Sequence, residues 1–148
     1  MITIGKTAGI PELVHYAYWK LRQMAEKTIM ADSTFPESMS YAAMHLYGMV
    51  EAAEEGMGYS DPPDFVSSID GGRFDNLNLS EELPELLRAV ETLKSMVYPD
   101  GNYIQAHDTT YWFGGGREPI PKFSQPLIYP AFGHAVLGRG EGERKDQI

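Results

Sequence analysis

Apolar residues recur at helical spacing in three stretches of the chain. The first runs from Pro11 through Leu13, Val14, Ala17, Leu21, Met24, Ala25 and Ile29. This spacing predicts a helix over 11–29, with Pro11 in the first turn, where a missing N–H costs nothing. A second helix is expected over 37–56. There Tyr41, Met44, Gly48, Ala52 and Glu55 lie on or near one stripe, and Gly48 points to close helix packing. The third and clearest pattern is Leu83, Leu86, Leu87, Val90, Leu93, Met96 and Val97, a helix over 81–97 with Ser80 as its N-cap. Residues 1–10 read as a loose lead-in, and 57–79 as a long loop rich in turn signals. After Gly101 the chain turns aromatic, β-branched and Gly-rich, which suits short strands and loops; "HAVLGRG" reads as one more strand. The fold class expected is mainly α, with a helical segment over 1–98 and an irregular or β segment over 99–148.

Size and charge narrow the classes. The 148 residues suit one domain, and 43% hydrophobic with 22% charged residues marks a globular chain. A net charge of −9 argues against a broad nucleic-acid surface, which needs clustered Lys and Arg. With no Cys, disulfide scaffolds, thiolate metal sites and Cys nucleophiles are excluded. No apolar run reaches the roughly 20 residues of a membrane span. The first 20 residues carry no secretory pattern. No cofactor motif is present.

Candidate chemistry lies in two stretches. In "FPESMSYAAMH", Glu37, Tyr41 and His45 are four residues apart, which stacks a carboxylate, a phenol and an imidazole on one helical face. They suit proton transfer, but the spacing alone favours the wet edge of an amphipathic helix, with Tyr and His packed and their polar tips out. In "QAHDTTYWFGGGREPIPK", His107 and Asp108 have no third ligand at a metal-binding spacing, so no metal site is expected. Trp112, Phe113 and Arg117 suit sugar recognition, rings stacking on a pyranose and Arg pairing with a carboxylate, and His107 is counted with them as a candidate substrate-binding residue. A surface loop pinned by a buried Trp explains the same residues.

Three segments together resemble the heparinase II/III-like polysaccharide lyases: "MADSTFPESMSYAAMHLYGMVEAAE", "LPELLRAVETLKSMVYPDGNYIQAHDTTYW" and "YPAFGHAVLGRG". Their order and spacing agree over about residues 30–140. The resemblance implies part of an incomplete α/α toroid leading into a β-sandwich, and β-elimination on uronate-containing glycans. Tyr41 matches the family's acid, Glu37 matches an acidic position loosely, and His45 has no secure counterpart. Pro99, Asp100, Gly101 and Asp108 match a structural turn, while Ser33 replaces a usual Gly. The family's Asn- and His-bearing helix is expected before residue 1, and its β-sandwich His after residue 148. A toroid slice leaves apolar faces open to self-association or a partner chain. The alternative is a non-catalytic glycan- or protein-binding helical module.

Overall fold

The computed structural model describes residues 1–98, 102–109, 126–139 and 146–147, and is mainly α. Pro99, Asp100 and Gly101, and with them Trp112, Phe113 and Arg117, lie outside the described residues. Among the described residues five helices are present: α1 (Ile2–Ala8), α2 (Pro11–Thr28), α3 (Met39–Glu54), α4 (Leu79–Glu82) and α5 (Pro84–Ser95). Strands are short: β1 (Leu127–Tyr129), β2 (His134–Val136), β3 (Gly138–Arg139) and β4 (Asp146–Gln147). No helix of the described residues is long and apolar enough to cross a membrane.

Several element boundaries differ from the sequence expectation, each for a local reason. Residues 2–8 form a helix, not a lead-in. It closes at Gly9 in the left-handed region (φ 66°), whose N–H bonds the Gly5 carbonyl. Seven residues are too few to display a period. α3 begins at Met39 because Ser38 caps it, its carbonyl accepting from Ala42 N and its hydroxyl from Tyr41 N. Expected as one element, 81–97 is divided by Pro84, which drives Leu83 out of helical backbone (φ −138°, ψ 53°). The cap of α4 is Asn78, whose side chain accepts from Ser80 N, rather than Ser80 itself.

The buried stripe of α3 is Met39, Ala42, Leu46, Met49 and Ala53. Tyr41, Met44, Gly48 and Ala52, grouped by the sequence reading, form the exposed side. A Cβ on Gly48 would meet nothing within 4 Å, so close packing is not its role.

The chain divides into two compact units. The first comprises Met1–Lys27 and Tyr47–Leu87. Val14, Tyr18, Leu21 and Ala25 of α2 are buried there, as are Phe74, Leu77 and Leu79. Between α3 and α4 the 55–78 segment has no helix or strand, as expected of a loop. It is nonetheless tightly tied: Gly58 N bonds Leu77 O, Leu77 N bonds Tyr59 O and Asp61 N bonds Phe74 O, at 2.8–3.0 Å. At Gly56, a Cβ would lie 2.6 Å from the Tyr18 hydroxyl, so only glycine lets the loop pass that ring.

The second unit comprises Thr28–Leu46 and Arg88–Ile148. Ala89, Val90, Leu93, Met96 and Val97 of the α5 region are buried, with Phe35, Tyr103, Tyr129 and Val136. β1 and β2 form an antiparallel hairpin in the register Leu127↔Val136, Ile128↔Ala135 and Tyr129↔His134. Gly133, at φ 77°, closes its turn. β3 and β4 pair antiparallel, Gly138 opposite Gln147. In 102–109 the only strand-like feature is a bridge from Tyr103 to Val97.

Candidate functional site

Asp32, Ser95 and Thr109 tie together three segments distant in sequence. The Asp32 carboxylate accepts from Thr34 N (3.2 Å) and Oγ1 (2.6 Å) in its own turn. Across a hundred residues it also accepts from Ala131 N (2.7 Å) and Phe132 N (3.2 Å) in the β1–β2 turn. Desolvation works to raise its pKa, but these donors outweigh it and hold the carboxyl below its ordinary value. The Thr109 hydroxyl accepts from Met39 N at 2.9 Å and donates to Ala106 O, so one residue of the 102–109 loop caps an orphan amide at the start of α3. Ser95 at the end of α5 hydrogen-bonds the Tyr129 hydroxyl. Burial raises the pKa of that phenol, and the Asp32 charge adds to the rise against the opposing Ser95 bond.

The same unit carries exposed side chains at the start of α3 and in the 102–109 loop. Tyr41 projects from the first turn of α3 with 45% of its surface exposed. One turn on, His45 stacks on Phe35 (centroids 5.4 Å apart, 17° between planes), and its Nδ1 lies 2.8 Å from the Tyr41 carbonyl. A carbonyl can only accept, so Nδ1 carries the proton and the lone pair of a neutral ring sits on Nε2. Glu37 is exposed but lies before the helix, so the expected three-member stripe reduces to Tyr41 and His45.

His107 occupies left-handed backbone (φ 56°), a conformation in which His is enriched. Its ring lies 5.1 Å from Phe132 and 5.8 Å from His134, and those two rings are 4.5 Å apart. Phe132 and His134 are half-buried and His107 is exposed. Among the described residues no group of three or more acidic or imidazole side chains could hold a metal ion.

Compared with family models, curated proteins and solved structures, the chain matches none of them. The site therefore rests on its own geometry. That geometry includes two residues the sequence reading did not single out, Phe132 and His134. The strand expected over "HAVLGRG" includes His134 but not Phe132. The tight turn between Tyr129 and His134 was signalled only by Pro130 and Gly133. The pairing with His107 is long-range and leaves no local pattern.

Proposed function

We propose that the second unit is the glycan-facing part of a polysaccharide lyase-type protein, acting on uronate-containing chains by β-elimination. In this reading the helical part is a slice of an α/α toroid. The observation that carries it is the exposed Tyr41 phenol at the capped start of α3, one turn from an imidazole whose Nε2 is free to accept a proton. The two side chains stand about 6 Å apart along the helix axis, a span suited to one sugar linkage. His45 Nε2 takes the proton α to the uronate carboxylate. The electron pair left on that carbon forms the new double bond as the neighbouring C–O bond breaks, and Tyr41 protonates the departing glycosidic oxygen. His107, Phe132 and His134 supply a stacking platform for a flanking sugar and N–H donors for its carboxylate.

The test is turnover of alginate and heparin, followed by the absorbance of the unsaturated uronate product. The expected result is measurable product from the parent chain and a loss of about 10²-fold or more in Tyr41→Phe, which removes only the acid. Activity that survives the substitution unchanged removes Tyr41 from the reaction. A second reading, binding without turnover, is favoured by the aromatic and imidazole cluster. It predicts retained affinity in Tyr41→Phe and lost affinity in Phe132→Ala.

A further inference from the structure

His15, on the buried side of α2 in the first unit, has no exposed surface and stacks on Phe74 with centroids 4.1 Å apart. Phe65 tilts against it at 5.5 Å. Both ring nitrogens face carboxylates of the 55–78 loop. Nε2 is 2.8 Å from Asp61 Oδ2, and Nδ1 is 3.1 and 3.3 Å from the two oxygens of Asp70. A neutral imidazole donates from one nitrogen and turns a lone pair on the other, so only the doubly protonated ring satisfies both carboxylates.

The two arms are unequal. The Asp61 side chain is fully enclosed. Its Oδ2 also receives the Phe74 amide at 2.6 Å, and the Tyr59 phenol lies beside the same carboxylate. Asp70 is 21% exposed and has other donors, the Gly72 amide at 3.0 Å and Arg22 Nη1 at 3.4 Å. The remaining charged and titratable groups around the ring are few. From α2 come Glu12, which accepts from Ser68 N and Oγ, and Arg22, which also pairs with Glu82 of α4. Tyr18 also packs against Phe74, tilted with centroids 5.4 Å apart. Arg73 Nη2 reaches the Asp61 carbonyl at 3.4 Å. Tyr59 is pushed up to about 12, by burial first and then by Asp61 beside it, and stays a neutral phenol.

We propose that His15 is a proton-operated latch. As an imidazolium it holds both carboxylates; on losing one proton it keeps Asp61 and releases Asp70, which loosens the 67–72 turn and leaves it tied to α2 through Glu12 and Arg22. Asp61 is the arm retained because its carboxylate is fully enclosed, so water cannot take the place of the ring there. Asp70 is the arm released because water, Gly72 and Arg22 can replace the ring. Over the pH range in which closed and open forms differ by one bound proton, each pH unit raises the open-to-closed ratio about tenfold. The latch belongs to the first unit and does not rest on the lyase reading.

Nuclear magnetic resonance of the full chain over a pH series tests this directly. His15 ring nitrogens are followed alongside exchange of the Ser67 and Gly71 amides, which bond Gly72 O and Ser67 O at 2.9 Å. Corrected for intrinsic exchange, protection of those amides is expected to fall about tenfold per unit as the ring loses its proton, while the Phe74 amide stays protected. Asp70→Asn, which keeps the Asp61 arm, is expected to show an open turn throughout with no pH step. A ring that loses its proton with the turn unchanged would overturn the proposal. So would a ring protonated on only one nitrogen across the range, or an unaltered pH step in Asp70→Asn.

Discussion

Asp32 gathers four hydrogen bonds from two places in the chain, and its loss should be felt at the far one. Ala131 and Phe132 amides would lose a charged acceptor, so Asp32→Asn is expected to destabilise the second unit by about 1.5–3 kcal/mol. The pH dependence has a definite sign. The folded pKa lies below the ordinary 3.8, so the stabilisation is complete above that value and fades as pH falls through the depressed one. Acid unfolding followed by circular dichroism should therefore begin at higher pH in Asp32→Asn than in the parent, where the charged acceptor still holds the turn. Coincident acid transitions would mean that the carboxylate contributes only as a polar group. The sequence reading singles out Ser33 and gives its neighbour Asp32 no role of its own. Neither its reach to Ala131 nor the double bracket on His15 could be anticipated, because each joins residues at least 46 apart through loops without a period.

At the scale of elements, periodicity served well where helices are long and amphipathic. α2 matches its expected span within a residue, and the Leu86, Val90, Leu93 and Val97 face of the α5 region is buried as its spacing implied. It served less well on α3, whose small and apolar residues cover more than one face, so that spacing alone chose the exposed stripe. Gly48 shows the consequence. It sits in the helix interior with open space where a side chain would go, so Gly48→Ala should stabilise the protein by about 0.5–1 kcal/mol, measured by urea unfolding. A destabilisation would restore the close-packing role. The division between α4 and α5 was also legible in principle. Pro84 lies within the expected helix, and the restriction it places on Leu83 is a property of any residue before proline.

Taken as a whole, the molecule carries a net charge of −9, so its long-range field opposes the approach of an acidic glycan. Affinity on this account comes from contact-range stacking and donated N–H groups. Screening the field should then speed association as salt rises from about 10 mM to about 150 mM; a slowing over that range would point to a dominant basic patch instead. Expectations for Trp112, Phe113 and Arg117 fall outside the described residues, so the recognition surface proposed above is drawn from Tyr41, His45, His107, Phe132 and His134. The central claim is that these five residues face one sugar chain. Its most direct test is chemical-shift mapping of the full chain with a short alginate oligomer. Shifts concentrated on the five residues and on Thr109 are the result predicted. Shifts confined to the first unit, or none at millimolar oligomer, would contradict it.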